Sequence, residues 1–360
     1  MDRLARSVEQ RLTRHFGRRH CLVTASGTTA LYLAMVGAGL EPGSRVLYPD
    51  ITCETAVNAA AFASLEPVFC DVDPATFNMD PSLAMDRAGA LDAAAVVPTH
   101  IFGSIMDMAP LQDHAGGPLV LEDAAQVYGD GDARAAAGGR AAVVSFGPGK
   151  LLDCGGGGAL LTDDDELMAA CRRAAQGLCS DEPRRDLART SLMQDLYRLR
   201  KAALPAGQAF AQRLRILREH RDGFVHVLPP QVLQTLSQRV DKLPKTAALR
   251  RRQTQTLRQA LAGHPHVVLQ EGLEKAAPWR FSFLAPRAAR DRLFEDLLDK
   301  GFAASRLFPP PHHLRGDDDA AFPHAVEISE RIVNLVLNSP ATDLSAMTGH
   351  ITDVLNAHGQ

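Results

Sequence analysis

The residues best equipped for chemistry lie in one run, Ser145-Phe146-Gly147-Pro148-Gly149-Lys150-Leu151-Leu152-Asp153-Cys154, continued by the glycines Gly155 to Gly158. An apolar stretch, Ala141 to Val144, leads into it and reads as a buried strand ending in the hydroxyl of Ser145. Lys150 stands in a loop of glycine and proline with little other charge. Burial disfavours an ammonium, so a lysine in such a loop gives up its proton readily. The free amine is then a nucleophile of the kind that forms Schiff bases.

A second run, Val120-Leu121-Glu122-Asp123-Ala124-Ala125-Gln126, places an acid at the end of another apolar strand. An aspartate there can simply cap a helix beginning at Ala124. Paired with Lys150 it has a further use. A Schiff-base lysine working with pyridoxal 5'-phosphate needs a carboxylate against the pyridinium nitrogen, which keeps the ring electron-withdrawing. The phosphate needs a helix N-terminus and a hydroxyl or two. Ala25-Ser26-Gly27-Thr28-Thr29 joins a short apolar strand, Cys21 to Thr24, to a helical pattern, Ala30 to Val36, so Gly27 and Thr28, with Ser145, are candidates for that role. Other readings fit less well. A P-loop wants Ser or Thr after its lysine and a glycine where Val144 stands. No G-x-S-x-G is found, and no G-x-G-x-x-G opens a helix in the first strand unit. His312 and His313 are adjacent, and adjacent histidines are expected to point apart, so no metal site is expected.

The elements that must position these groups alternate along the chain. Arg45–Tyr48, Pro67–Val72, Ala93–Pro98, Pro118–Leu121 and Gly158–Thr162 read as strands, and residues 1–18, Thr55–Ala63, Pro81–Ala88, Leu111–His114 and Asp164–Gln176 as helices. This predicts an α/β fold, a mostly parallel central sheet with helices on both faces. Ligands of such sheets gather at the carboxyl ends of the strands, just beyond which Ser26, Asp123, Ser145 and Lys150 all fall. The segment Gly177–Gly223 is basic, helical at Leu192–Leu204 and broken at Pro183 and Pro205, and reads as a crossing or interface segment. Helices are expected at Pro230–Val240 and Thr246–Gly263, separated at Pro244. Beyond them, strands at Val267–Leu269 and Phe281–Leu284 and helices at Ala289–Lys300, His324–Leu337 and Leu344–His358 suggest a smaller C-terminal α+β domain. The expected division is therefore a large domain over 1–245 and a small one over 246–360.

Composition narrows the function classes. Hydrophobic residues make up 46% and charged residues 22%, and Lys+Arg 39 against Asp+Glu 42 gives a net charge of -3. That suits a sizeable core and does not suggest a nucleic-acid or membrane-surface partner. No apolar run is long enough for a membrane span, and the first residues carry no signal core. The six cysteines show no metal or C-x-x-C spacing, so reduced thiols and a cytoplasmic setting are expected. Arg250-Arg251-Arg252 reads as a solvated helix face.

On these residues the chain resembles the DegT family of sugar aminotransferases, pyridoxal-phosphate enzymes of fold type I. The matching stretches are Ser26 to Leu31, Pro49 to Asn58, Pro67 to Asp73, His100-Ile101-Phe102-Gly103, Glu122 to Gln126, Ser145 to Lys150, Gly155 to Ala159, and Gly301 to His313. They cover nearly the whole chain, most weakly over 177–230. The resemblance implies that Lys150 carries the cofactor and shuttles a proton, that Asp123 pairs with the ring nitrogen, and that Gln126 contacts the ring's phenolic oxygen. It further implies that Gly27, Thr28 and Ser145 hold the phosphate, that the protein is a homodimer with its sites at the interface, and that glutamate is the usual amino donor to a keto-sugar, sugar nucleotide or related ketone.

Three departures stand out. Cys53 occupies the position of the family's aromatic residue stacked on the cofactor. Val225-His226-Val227 aligns with an Asn-Tyr-Arg segment whose asparagine reaches the partner's phosphate. Leu151 replaces the usual asparagine after the lysine. Arg280 and Arg306 are candidates for binding the donor's carboxylate. A pyridoxal-phosphate enzyme of another reaction type, acting by elimination, replacement or condensation, is the first alternative. A non-catalytic family member is the second.

Overall fold

The computed structural model describes residues 2–111, 116–129, 135–202, 204–337 and 342–358. Its strands are β1 (His20–Thr24), β2 (Arg45–Pro49), β3 (Glu66–Cys70), β4 (Ala93–Val96), β5 (Leu119–Asp123), β6 (Val127–Tyr128), β7 (Ala141–Ser145), β8 (Gly158–Thr162), β9 (Val268–Leu269), β10 (Ala277–Pro278), β11 (Arg280–Leu284), β12 (Ala304–Ser305) and β13 (Ile332–Val336). The α-helices are α1 (Asp2–Phe16), α2 (Gly27–Gly37), α3 (Glu54–Phe62), α4 (Pro81–Ala90), α5 (Asp165–Ala175), α6 (Glu182–Lys201), α7 (Ala206–Glu219), α8 (Pro230–Arg239), α9 (Leu243–Leu261), α10 (Arg287–Asp299), α11 (His312–Arg315), α12 (Pro323–Arg331) and α13 (Leu344–His358).

Seven strands form the main sheet in the order β1-β8-β7-β5-β4-β2-β3. Its neighbours pair in parallel except at β8, which runs antiparallel to both β1 and β7. Strand residues alternate between two buried faces. Leu22, Val143 and Leu160 join the core under α2, α3 and α5, while Val23, Val144 and Leu161 join the core under α1 and α8. A sheet covered on both faces needs the near-continuous apolar strands seen in the sequence. The reversed strand has a consequence for the site. Gly158, the first residue of β8, pairs with Thr24 on one side and Ser145 on the other. The start of β8 therefore lies at the same edge as the ends of β1 and β7.

A four-stranded antiparallel sheet, β12-β13-β11-β9, carries a separate core of Phe281, Phe283, Leu293, Leu335 and Ile351, packed by α9, α10 and α13. Truncating a fully buried Phe such as Phe281 costs about 3–5 kcal/mol in cores of this kind. A short ladder, β6 with β10, ties this part to the large sheet.

The interruption expected at Pro205 is present as the gap between α6 and α7, whereas other expectations are corrected. Pro183 breaks no helix but lies in the first turn of α6, and Pro205 is the cap of α7. Proline lacks only an N–H that a first turn leaves unbonded anyway, so it suits a helix start. Pro244 likewise lies in the first turn of α9. The helix expected over His324–Leu337 stops at Arg331, and Ile332–Val336 forms the strand β13 at the centre of the small sheet. Its β-branched Ile332, Val333 and Val336 favour that state. The helix expected over Leu111–His114 falls largely outside the described residues, and Leu111 ends a single 3-10 turn. Arg250 is not on a solvated face. It is 3% exposed and donates to the Trp279 carbonyl at 2.7 Å, because its face of α9 packs inward. Among the described residues no helix is long and apolar enough to cross a membrane.

Candidate active site

The carboxyl ends of β1, β5 and β7 open into a cavity of about 550 Å³. Gly27, Thr28, Cys53, Asp123, Gln126, Ser145 and Lys150 all line it. Register explains the convergence: β5 and β7 are neighbours, with Asp123 opposite Val143, so Asp123 and Ser145 end at one edge.

At one end of the cavity stands the start of α2. Ser26 caps it, its hydroxyl accepting from the Thr29 N–H at 3.0 Å. The first N–H groups of a helix have no acceptor within it, so those of Gly27 and Thr28 are available to an anion. Space there is tight. A Cβ on Gly27 would lie 3.2 Å from the Ser145 Cβ, so the glycine lets the Ser145 hydroxyl share the cradle. Thr28 is fixed by its hydroxyl, which donates to the Thr55 carbonyl at 3.2 Å.

At the other end lies Asp123, 4% exposed. Its Oδ1 accepts the Ala125 N–H at 2.9 Å. Burial pushes the carboxyl above its ordinary range, against the opposing pull of the Ala125 bond and the Lys150 charge. Gln126 is held by its own Oε1, which accepts the Phe102 N–H at 3.0 Å, so its amide NH2 is the end left to donate. The neighbouring Glu122 points away. It joins His100 at 2.7 Å and accepts from the Gly138 N–H at 2.6 Å, a buried structural cluster. Phe102 takes a positive φ of 54° in the turn that presents its N–H to Gln126.

Lys150 lines the same cavity. Burial lowers its pKa from the ordinary lysine value, outweighing the attraction of Cys53 and Asp123, and Arg280 lowers it further. Its Nζ lies 4.4 Å from the centroid of Trp279. Nothing in the spacing of Trp279 along the sequence assigns it to the site. In the fold it is a strut: its Nε1–H donates to the Gly149 carbonyl at 2.9 Å and its backbone N–H to the Gln126 carbonyl at 2.8 Å. Arg280 also lies over this ring, 4.4 Å from its centroid, and its Nε and Nη1 are buried without a partner among the described residues. Arg306 is elsewhere. It pairs with Asp291 at 2.5 Å and packs on Phe294, so it is not a cavity residue.

Cys53 lies at the start of α3, its Sγ 3.1 Å from the Thr55 hydroxyl. Arg189, Phe224 and His226 complete the wall beside α2; of these only His226 lies in a stretch that the sequence singled out, the one aligned with the family's Asn-Tyr-Arg segment. Among the described residues the cavity lining ends at Val232, so the small sheet acts on the site through Trp279 and Arg280. His312 and His313, expected to point apart, instead converge: their Nε2 atoms hydrogen-bond Asp319 Oδ1 at 2.9 and 2.8 Å, which brings three possible ligand groups together. His312 also bonds the buried Asp50, whose carboxyl burial raises to about 7.

A model of the DegT/DnrJ/EryC1/StrS aminotransferase family matches residues 3–222. Over 123 residues the chain is 35% identical to the GDP-perosamine synthase of Caulobacter vibrioides, a stretch covering 34% of this chain and 33% of that protein. Over 151 residues it is 35% identical to the UDP-2-acetamido-2-deoxy-3-oxo-D-glucuronate aminotransferase of Pseudomonas aeruginosa, covering 41% and 42%. The chain thus spans less than half the length of either relative. In fold it is similar to the aminotransferase TlmJ from Streptoalloteichus hindustanus, with a TM-score of 0.76 at 23% identity over 99% of this chain and 92% of that one.

Proposed function

This chain belongs to the DegT/DnrJ/EryC1/StrS aminotransferase family, and from that premise we propose that it is a pyridoxal-phosphate aminotransferase. It would take an amino group from an amino acid, glutamate by default, and give it to a keto-sugar, sugar nucleotide or related ketone in a biosynthetic pathway. The observation that carries this reading is a lysine of lowered pKa in one cavity with a buried carboxylate and a helix N-terminus.

The residues fit the cofactor. Gly27, Thr28 and Ser145 offer a phosphate cradle that a side chain at Gly27 would crowd. Asp123, forced up by burial, gains from a cationic ring nitrogen beside it, which restores its charged form. The Gln126 amide can donate to the ring's phenolic oxygen. Bound there, pyridoxal phosphate supplies the electron sink that makes a substrate α-proton acidic. Lys150, whose burial favours the free amine, is the group that would take that proton and hand it on. Trp279 holds the Lys150 loop against the cavity by its bond to Gly149. Arg280, with unpaired buried nitrogens, is the group suited to a donor carboxylate. We infer a homodimer, as the resemblance implies, in a cytoplasmic setting, as the reduced cysteines suggest.

Purified protein with added cofactor should be yellow, with a band at the violet edge of the visible. Glutamate should bleach that band, and a keto-sugar should restore it. Lys150→Ala should abolish the band. A band that survives in Lys150→Ala refutes the lysine's role, and bleaching by another amino acid with release of a small product refutes transamination.

A further inference from the structure

Arg189 lies on α6, half-exposed, one turn beyond Arg185. Its guanidinium is aimed by two contacts. Nε donates to the Gly223 carbonyl at 2.6 Å, and Nη2 donates to His226 Nε2 at 3.1 Å. His226 is placed to accept. Its Nδ1 donates to the Val227 carbonyl at 2.9 Å, which leaves Nε2 with a lone pair. Arg185 Nη1 lies 3.2 Å from the same Nδ1, the longer of its two contacts. Burial lowers the ring's pKa below the ordinary histidine value, against the Val227 bond and with the help of Arg185 and Arg189, which favours the neutral form that accepts from Arg189. Gly223 is required for this approach, because a Cβ there would meet the Arg189 backbone nitrogen at 2.9 Å. The exposed Asp186 lies 3.9 Å from Nη1, too far for a hydrogen bond, so that nitrogen keeps its donors.

The segment that aims Arg189 is fastened to the anion-binding end of the cavity. The Phe224 carbonyl accepts the Thr29 hydroxyl at 3.2 Å, and Val232 packs on Gly156 and Gly157 beside Ser26. Arg189 and His226 line the same cavity as Gly27, Thr28 and Ser145. Two N–H groups and a hydroxyl bring no formal charge to a dianion, whereas a guanidinium brings one positive charge and a fork of donors. We infer that Arg189, positioned by His226 and the Gly223 carbonyl, binds the cofactor's phosphate from within the same chain. This inference rests on the cofactor reading above.

The test compares pyridoxal phosphate with pyridoxal, which lacks the phosphate, by titrating the yellow band of wild type and variants. Loss of one charge-assisted bond to phosphate should reduce the preference for pyridoxal phosphate roughly ten- to a hundredfold in Arg189→Ala. Pyridoxal binding should stay near wild type, which shows that the variant is folded. As a milder pair, Arg189→Lys should keep part of the preference and Arg189→Gln should not. His226→Phe, which removes the acceptor, should lower the preference partway. An unchanged preference in Arg189→Ala, or equal preferences in the lysine and glutamine variants, overturns the inference while the cofactor reading stands. If neither aldehyde gives a band with wild type, the cofactor reading falls and this inference with it.

Discussion

Gly158 is where the sheet and the phosphate cradle meet, and replacing it with alanine tests both. A methyl group at that position would lie 2.4 Å from the Ser26 carbonyl carbon, 2.5 Å from the Gly27 nitrogen and 2.6 Å from the Ser26 oxygen. All three are backbone atoms, so no rotamer change relieves the clash. β8 cannot retreat, because Gly158 is paired with Thr24 on one side and Ser145 on the other. Ordinary carbon contact begins at ~3.5 Å, so the Ser26–Gly27 turn must move by about 1 Å. Overpacking of this kind costs about 1–3 kcal/mol, and a backbone that must yield puts Gly158→Ala near the upper end. The same shift swings the first N–H groups of α2 off the phosphate, where each lost charge-assisted bond is worth about 1.5–3 kcal/mol. Affinity for pyridoxal phosphate should then fall by at least about tenfold. Gly156→Ala is the control. Its Cβ would meet the Val232 side chain at 3.3 Å and the Ala25 carbonyl oxygen at an ordinary 3.9 Å, so it should be tolerated far better. Urea midpoints and cofactor titrations on both variants decide the matter. If Gly158→Ala binds cofactor as tightly as wild type and unfolds at the same midpoint, the turn is not held by this contact and the cradle argument is wrong.

Without cofactor, Lys150 gives stability a pH dependence. Its folded pKa lies below the ordinary 10.5, so the unfolded chain binds that proton more tightly. Stability therefore rises with pH between the lowered value and 10.5, and Lys150→Met should flatten that rise and be the more stable protein at neutral pH. Urea midpoints across that range check it; an unchanged slope in the variant counts against the lysine's burial. Trp279→Phe keeps the stack on Phe308 but loses the bond to Gly149, at a cost of about 1 kcal/mol, and should slow turnover by loosening the Lys150 loop. Trp279 is the chain's only tryptophan, so its fluorescence should change when cofactor binds to wild type; a silent signal would mean that the ring does not face the site.

The site was legible where chemistry follows a strand end. Asp123, Ser145 and Lys150 each lie just beyond an apolar run, and parallel strands bring such ends together without any further information. Trp279 and Arg189 were not legible. Each reaches the site from a separate element, and no local spacing records that α6 lies against Gly223 or that β11 starts beside the lysine loop. Pro183 misled for a related reason: it is compatible with a helix start and with a helix break, and only the cap at Asp181 decides between them. At His324–Leu337 an apolar run with mixed periodicity suited helix and strand equally, and pairing with β11 settled its second half as strand. The convergence of His312 and His313 depends on Asp319, which lies in a later 3-10 turn.

Between Pro278 and Arg280 the chain leaves the β6–β10 ladder and enters the small four-stranded sheet, with Trp279 as the single residue between them. The indole is thus anchored to two bodies at once, and it is the surface against which the Lys150 Nζ rests. A ring face stabilises a cation beside it, so any tilt of the small sheet changes how readily the protonated lysine gives up its proton. The pH optimum of such a catalyst is then a heritable trait adjustable from a distance. Substitutions in the core around Phe281 or Leu335 could retune it while leaving every pocket-lining residue unchanged, and a search for variants with altered pH response should begin there.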